Sequence, residues 1–205
     1  MKRTAIFGGT FCPPHNGHLK MVSCLESLEE IEKIIIIPAN IPPHKKMTCI
    51  SAEHRKKMCE LAFGRFKKVT ISDYEILNGG KSYTVNTLKY FKEKGIIMPY
   101  LVIGADSLKD FKKWYCYKEI LNMSELLVYD RIGISNADEE KAELELKNEG
   151  GKIKRLGITP DGVSSTQVRE ALAQNKSAEN LIPAEVKEYI EKNNFFRGSC
   201  IWTKI

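Results

Sequence analysis

The chain has 205 residues, of which 42% are hydrophobic and 28% charged, values that are ordinary for a water-soluble enzyme of one domain. Its net charge of +6 fits an anionic substrate, but the basic residues are spread along the chain rather than gathered into the stripe that nucleic-acid binding usually shows. Its six cysteines include no C-x-x-C pair, so we expect neither a zinc site nor a disulfide framework. The chain opens without a signal-peptide pattern, and no apolar run approaches the roughly 20 residues of a membrane span, so we expect a cytoplasmic protein.

Strand-like and helix-like stretches alternate along the chain. Short apolar runs predict strands, and apolar residues spaced three and four apart predict helices. Ser51 is an expected N-cap, Gly95 an expected helix end, and Pro183 an expected first residue of the last helix. In chain order we predict strand 4–7, a helix from about 19, strand 33–37, helix 51–63, strand 67–72, a turn at 78–80, a helix from 83 or 84, strand 100–103, helix 114–121, strand 126–129, helix 137–149, strand 152–156, helix 164–173 and a helix from 183.

This alternation is typical of an α/β fold, with a doubly wound, mostly parallel sheet and helices on both faces. We predict a single domain over residues 1–196, including a helical C-terminal part from about 164, and a tail at 197–205 whose role the sequence does not show. Ligands of such sheets bind beyond the carboxyl ends of the strands, near a switch in strand order. The polar loops 8–18, 38–46 and 104–114 each follow a predicted strand, and we expect them to form the site.

The segment 8–19, with the sequence GGTFCPPHNGHL, joins the first strand to the first helix. Its two leading glycines allow a ligand close to the backbone, Thr10 adds a hydroxyl group, and the N–H groups at a helix start favour an anion. His15 and His18 can present both imidazoles to that anion, so the segment predicts a phosphate site, although it is neither a Walker A loop nor a Rossmann fingerprint. A capping role fits the two histidines equally well. A metal site would need further ligands that the nearby sequence does not supply, so we expect no metal held by the protein.

The segment 8–18 resembles the H-x-G-H signature of the nucleotidylyltransferase superfamily, and over about residues 3–195 the chain is similar to bacterial nicotinate-mononucleotide adenylyltransferases. Four further motifs carry the resemblance, in the family's order: Ile41-Pro42-Pro43-His44-Lys45, Ser82-Tyr83-Thr84 with Thr87-Leu88, Gly104-Ala105-Asp106 with Trp114, and Ser164-Ser165-Thr166 with Arg169. The resemblance implies a Rossmann-like nucleotidylyltransferase fold. It also implies adenylyl transfer from ATP, accompanied by Mg²⁺, to nicotinate mononucleotide, which gives deamido-NAD and pyrophosphate in NAD biosynthesis.

The resemblance also implies a role for each residue of the site. His18 would stabilise charge on the α-phosphate and the leaving oxygen, Asp106 would accept hydrogen bonds from ribose hydroxyls, and Arg169 would face the β- and γ-phosphates. Backbone N–H groups at Tyr83 and Thr84 would take the nicotinate carboxylate. The implied catalytic residues are His15 and His18. The implied ATP-binding residues are Gly8, Gly9, Thr10, Phe11, His15, His18, Gly104, Asp106, Ser165, Thr166 and Arg169, and the implied residues for nicotinate mononucleotide are Lys45, Tyr83, Thr84 and Trp114.

Several of these residues have an ordinary structural explanation as well. Trp114 would stack on the nicotinate ring in the family, but composition alone favours a core residue. The hydroxyl groups at 164–166 fit a plain helix cap. Lys45 either neutralises a substrate phosphate or is solvated in its loop. Arg55, which is followed by two lysines, fits a solvated helix face as well as a substrate contact.

Two positions depart from the family pattern. Asn86 stands where the family often has Asp, but it keeps an acceptor, so the departure concerns the packing of the substrate loop rather than the chemistry. Cys12 also stands where the family usually has Asp. Because it lies near His15 and a helix start, it is either a reactive thiol that bound ATP protects from alkylation or a buried, inert cysteine.

Two other functions are left open by the sequence. One is a sibling enzyme that transfers a nucleotidyl group to another phosphate, such as phosphopantetheine or glycerol phosphate. The other is a non-catalytic module that senses ATP or NAD, against which the full set of phosphate-facing residues argues. The expected partners are ATP and nicotinate mononucleotide, with no nucleic acid and no membrane, and the sequence permits a homo-oligomer without fixing its size.

Overall fold

The architecture is a six-stranded sheet flanked by helices, in a computed structural model that describes residues 2–43, 50–130, 137–158 and 162–196. The strands are β1 (Arg3–Gly9), β2 (Ile31–Pro38), β3 (Val69–Ile71), β4 (Tyr100–Gly104), β5 (Glu125–Tyr129) and β6 (Lys152–Arg155). The α-helices of the described residues are α1 (Asn16–Ser27), α2 (Ala52–Phe63), α3 (Tyr74–Asn78), α4 (Thr84–Glu93), α5 (Asp106–Asp110), α6 (Tyr117–Met123), α7 (Ala137–Asn148), α8 (Ser165–Ala173) and α9 (Ala184–Lys192), and a 3-10 helix covers Phe111–Lys113. None of the helices in these described ranges has the length and apolar character needed to cross a membrane.

All six strands are parallel and lie in the order β3-β2-β1-β4-β5-β6. β1 pairs along its whole length with β2, and on its other side it pairs with β4 through Ala5 and Tyr100. The chain therefore builds outward from β1 to β3, returns to the centre, and builds outward again from β4 to β6. The strand order switches between β1 and β4, and the carboxyl ends of these two strands are where such sheets bind ligands. The predicted doubly wound sheet is confirmed.

Hydrophobic cores on both faces of the sheet explain why its central strands are almost entirely apolar. In β1, Ala5 and Phe7 belong to one core and Ile6 to the other, as the alternation of side chains along a strand requires. The isoleucines 34–37 of β2 alternate in the same way, and each is at most 2% exposed. Helices α1, α2, α8 and α9 contribute to the first core, and helices α4 to α7 to the second. The C-terminal helices thus share a core with the central strand.

The structure differs from the predicted elements at the ends of helices and strands and in short helices; β3, for example, covers only Val69–Ile71 of the predicted strand 67–72. α1 begins at Asn16 rather than near 19, which makes His15 its N-cap. α6 begins at Tyr117 rather than 114, because Cys116 adopts a left-handed backbone conformation, with a φ of 53°, that a right-handed helix cannot contain. Pro183 is the N-cap of α9 rather than its first helical residue. The short helix α3 lies mostly between the predicted strand 67–72 and the predicted turn 78–80, where no element was predicted, and α5 lies in the predicted loop 104–114.

Two predicted helix boundaries are confirmed. The hydroxyl group of Ser51 accepts a hydrogen bond from the N–H of His54 and caps α2. Gly95 follows the end of α4 with a φ of 83°, a conformation that glycine adopts without strain.

Candidate active site

Two strands that end in glycine lie side by side at the switch point of the sheet. β1 ends in Gly8 and Gly9, and β4 ends in Gly104. Because the two strands are parallel, the loops that follow them leave from the same edge of the sheet. These loops form the walls of the candidate active site.

The two glycines of β1 serve different purposes. A Cβ atom at Gly8 would meet no atom within 4 Å, and the residue is exposed, so its backbone is open to a ligand. A Cβ atom at Gly9 would lie 2.9 Å from Cζ of Phe11, so Gly9 leaves room for that ring. The Phe11 ring is buried, with centroid distances of 5.6 Å to Phe7 and 5.0 Å to His18. Phe11 therefore supports the histidine with its side chain, and it can offer only its backbone to ATP.

The two histidines of the motif stack on each other at the start of α1. Their ring centroids are 3.6 Å apart, and the rings are inclined by 30°. His15 is buried, whereas His18 is half-buried in the first turn of the helix. The backbone N–H of His15 donates a hydrogen bond to Nδ1 of His18 at 3.2 Å, so the pair does make a capping contact. Because Nδ1 accepts this bond, the neutral His18 ring carries its proton on Nε2 and is a hydrogen-bond donor there.

The start of α8 is docked against the loop that follows β1. The hydroxyl group of Ser165 donates to the carbonyl oxygen of Pro13 at 2.9 Å, and Nη1 of Arg169 donates to that of Cys12 at 2.8 Å. Nη2 of Arg169 also donates to the hydroxyl oxygen of Thr166 at 3.0 Å. The cap itself is provided by Ser164, whose hydroxyl accepts from the backbone of the third helical residue. The structure therefore joins the two predicted phosphate-binding segments, 8–18 and 164–169, into one wall.

The end of β4 carries a carboxylate. A Cβ atom at Gly104 would collide with Oδ1 of Asp106 and approach Cζ of Tyr129 to 3.3 Å, so only glycine leaves the carboxylate its place. Asp106 is the first residue of α5 and is exposed. A carboxylate in this position can accept hydrogen bonds from the hydroxyl groups of a sugar.

The residues expected to bind nicotinate mononucleotide lie on α4 and after the 3-10 helix. Tyr83 is the N-cap of α4, but its backbone N–H already donates to the carbonyl oxygen of Lys81 at 3.1 Å. Thr84 is the first helical residue, where N–H groups have no partner within the helix, so the expected contact with a carboxylate falls to Thr84. Trp114 is half-buried and stacks on Phe111, with a centroid distance of 4.9 Å and an angle of 28°. One face of the indole thus belongs to the core.

Arg55 is the residue of the site that sequence reasoning missed. Of the two alternatives that the sequence left open for Arg55, the solvated helix face is wrong, because Arg55 is 1% exposed. Its Nη1 donates to the carbonyl oxygen of Thr10 at 2.9 Å and its Nη2 to that of Asn40 at 2.8 Å, which ties together the loops after β1 and β2. A signal was present in the sequence, because Arg55 lies on the buried stripe of α2 with Ala52, Cys59 and Ala62, spaced three and four residues apart.

The structure also bears on the two interpretations of Cys12. Its side chain is 1% exposed and belongs to the core under the sheet, which favours the buried, inert cysteine over the reactive thiol. Asn86 is half-buried in α4, and its carbonyl oxygen accepts from the hydroxyl group of Tyr74 at 3.4 Å. Lys45 and the tail from 197 lie outside the described residues. Within the described ranges, no three His, Cys, Asp or Glu side chains come together as a metal site.

Comparison with known proteins agrees with this geometry. The model of a family described as cytidylyltransferase-like matches residues 6–171. A probable nicotinate-nucleotide adenylyltransferase of Clostridium tetani is 36% identical over 203 residues, which covers 96% of this chain and 100% of the relative. Another, of Thermotoga sp. strain RQ2, is 37% identical over 190 residues, which covers 92% of this chain and 95% of the relative.

A solved structure shows the same fold. It is the Plasmodium falciparum nicotinic acid mononucleotide adenylyltransferase complexed with NaAD, which is 19% identical and matches with a TM-score of 0.79 over 96% of this chain and 98% of that chain. On the evidence of the family model and of the two bacterial relatives, the chain belongs to the cytidylyltransferase-like family and, within it, to the nicotinate-nucleotide adenylyltransferases.

Proposed function

We propose that the chain transfers the adenylyl group of ATP to nicotinate mononucleotide, giving deamido-NAD and pyrophosphate, as a step of NAD biosynthesis. The observation that carries this proposal is the single wall formed by the H-x-G-H turn and the start of α8, beside the carboxyl end of β4. The named activity of the bacterial relatives supports it over the two alternatives left open by the sequence.

The reaction needs positioning and charge stabilisation rather than a covalent intermediate. A phosphate oxygen of the mononucleotide forms a bond to the α-phosphorus of ATP as the bond from that phosphorus to the bridging oxygen breaks, and pyrophosphate takes the electron pair. We assign to His18 the stabilisation of this developing charge, because its Nδ1 is held as an acceptor and its Nε2 carries the donor proton. His15 holds the second ring against it.

The remaining ATP contacts follow the two walls of the site. Backbone groups from Gly8 to Phe11 and the first-turn N–H groups of Ser165 and Thr166 would hold phosphate oxygens, and Arg169 would add a positive charge. Asp106 would accept from the ribose, with Gly104 providing its space.

Magnesium enters this proposal as part of the substrate. The side chains that line the phosphate wall are histidines, hydroxyl groups and Arg169 rather than the carboxylates through which proteins usually bind Mg²⁺. We infer that Mg²⁺ is carried by the phosphate oxygens of ATP, where it neutralises charge, and that the protein binds the complex.

The acceptor side would recognise the pyridine ring and its carboxylate. Thr84 would offer its N–H to the carboxylate at the N-terminus of α4, where the helix dipole favours an anion. An amide in place of the carboxylate would lose this charge and present N–H groups to a donor, which predicts a preference for the acid. Trp114 would stack on the ring. The contact of Lys45 with the substrate phosphate stays a prediction. The cytoplasmic location and the homo-oligomer also stay predictions.

The test is to measure pyrophosphate release from Mg-ATP with nicotinate mononucleotide, nicotinamide mononucleotide and phosphopantetheine side by side. Release with the first alone is expected. Equal release with both mononucleotides would contradict the carboxylate selectivity assigned to Thr84, and release with phosphopantetheine alone would move the chain to a sibling activity. Binding of ATP without any release would support the nucleotide-sensing alternative instead.

A further inference from the structure

A continuous series of hydrogen bonds connects the phosphate loop after β1 to the segment before α4. It begins at the carbonyl oxygen of Thr10, which accepts from Arg55 at 2.9 Å, and the same guanidinium donates to the carbonyl oxygen of Asn40 at 2.8 Å. The N–H of Asn40 donates to Oγ of Ser82 at 2.8 Å, and its side-chain Nδ2 donates to the carbonyl oxygen of Gly80 at 3.0 Å. Ser82 directly precedes the N-cap of α4. One side chain, that of Arg55, therefore links the loop proposed for ATP to the segment proposed for its acceptor.

Further contacts fix the second half of this series to α3 and α4. Ile41 and Lys81 form a parallel bridge, and the N–H of Ser82 donates to the carbonyl oxygen of Ile41 at 2.9 Å. Ser82 also forms a hydrogen bond with the carboxylate of Glu75, which accepts from the hydroxyl group of Thr87 at 2.6 Å. The segment that begins α4 is thus hydrogen-bonded to Asn40. Arg55 and the backbone hydrogen bond from the N–H of Ala39 to the carbonyl oxygen of Gly9, at 2.9 Å, together join this segment to the phosphate loop.

The charge of Arg55 is an unusual choice for this position. Its burial lowers the pKa of the guanidinium, which means that the folded chain bears a desolvation cost for keeping it charged. Apolar side chains of similar volume can often replace even a buried ion pair without loss of stability, so the burial of a charge is weak evidence for a stabilising role. The rigid fork of a guanidinium can hold two carbonyl oxygens of different loops at a fixed separation, and an apolar side chain cannot. The geometry therefore indicates positioning rather than stability as the reason for Arg55.

We propose that Arg55 is a positioning residue for adenylyl transfer, which places the loop of the attacking nucleotide in register with the loop that holds the α-phosphate. The inference rests on the proposed function and adds to it a residue that does not contact substrate. Arg55 is buried under the Thr10 backbone, so it acts through the carbonyl oxygens of Thr10 and Asn40. Because a misplacement of about 1 Å can slow a reaction about 100-fold, losing the fork should reduce turnover more than substrate binding.

The first test compares Arg55→Lys with Lys57→Met in the full chain. Lysine keeps the charge but offers a single ammonium group, which cannot replace two separate nitrogens of the fork. Lys57 lies on the same helix, is exposed and pairs only with Glu60 among the described residues, so its variant is the matched control. Turnover per folded molecule, with the folded fraction measured by circular dichroism, should fall about 100-fold in Arg55→Lys, while KM for each nucleotide changes less than about threefold. Lys57→Met should match the parent chain in both quantities.

The second test uses Ser82→Ala, alone and combined with Arg55→Lys, and decides the question even where Arg55→Lys does not fold. Ser82→Ala removes the acceptor of the Asn40 N–H at the other end of the series, so it should also lower kcat more than it changes KM. Because Arg55 and Ser82 belong to one series of hydrogen bonds, the fold loss of kcat in the combined variant should be smaller than the product of the two single losses.

Three outcomes would overturn the inference. They are a folded Arg55→Lys chain with kcat close to that of the parent, a Ser82→Ala chain with unchanged kcat, and a loss that follows only the folded fraction, as a merely structural role predicts. Absence of pyrophosphate release from the parent chain would overturn the proposed function and this inference with it. An active parent chain with unaffected variants would overturn this inference alone.

Discussion

Replacement of His18 is the sharpest test of the chemistry, because its two ring nitrogens have separate tasks. Nδ1 accepts a hydrogen bond from the N–H of His15, and Nε2 is assigned to the phosphate. Asparagine can place its amide oxygen near the position of Nδ1 but has no atom at the position of Nε2. Leucine supplies neither the acceptor at Nδ1 nor the donor at Nε2. His18→Asn therefore tests catalysis alone, and its comparison with His18→Leu isolates the capping contact.

The expected magnitudes follow from these contacts. Removal of one preorganised donor to developing charge costs about 10²–10³ in kcat, or about 3–4 kcal/mol, which is the loss expected for His18→Asn with little change in stability. In His18→Leu the N–H of the buried His15 loses its acceptor, which should cost about 1–3 kcal/mol of stability in addition to the same loss of turnover.

The assay measures pyrophosphate release at saturating Mg-ATP and nicotinate mononucleotide, together with urea denaturation and ATP binding for each variant. ATP binding should persist in His18→Asn, since the other phosphate contacts are intact. The reasoning is refuted if His18→Asn turns over within about tenfold of the parent chain, because Nε2 would then contribute less than about 1.4 kcal/mol to the transition state.

Other predictions concern burial and close contacts. Burial raises the pKa of Glu75 above its ordinary value of 4.5, so the folded state holds this proton more tightly than the unfolded state and the associated stability is lost as the pH rises through the raised pKa. Urea midpoints should therefore favour the parent chain over Glu75→Gln more at pH 4.5 than at pH 7.5, and the opposite trend would contradict the assignment. Cys12 is 1% exposed and Cys59 is 0% exposed, and burial raises the pKa of the Cys59 thiol well above its ordinary range. Mass spectrometry after treatment of the native chain with iodoacetamide should therefore find both cysteines unmodified, and both should become modified in denaturant. Gly104→Ala should displace the carboxylate of Asp106 and raise KM for ATP about as much as Asp106→Ala does, without an additive loss in the double variant; strictly additive losses would separate the two residues.

The sheet was predictable from the sequence because its signal is local. The run of four isoleucines in β2 and the apolar run in β4 are buried on both faces, and such strands are apolar without alternation. The candidate site was predictable to the extent that its residues lie at the ends of strands, as Gly8 and Gly104 do. Helices α3 and α5 have five residues each, too few to show a helical period.

The role of Arg55 depends on contacts that are distant in sequence. Its two carbonyl partners lie 45 and 15 residues away, and nothing in the neighbouring sequence indicates them. The stripe of α2 shows that Arg55 faces inward, but not what it binds there. Similarly, the hydrogen bond that occupies the N–H of Tyr83 depends on the turn at Lys81, which the sequence does not specify.

The central position of β1 has a consequence for the synthesis of the chain. Its partner Tyr100 on β4 is 95 positions after Ala5. At a translation rate of about 5–20 residues per second, one edge of β1 stays without its neighbour for roughly 5–20 s while the ribosome makes the intervening segment. During that interval an almost wholly apolar strand presents its unpaired backbone to other nascent chains. The position that places two glycine ends beside each other in the folded chain thus also leaves one edge of β1 unpaired during synthesis, a condition that favours aggregation.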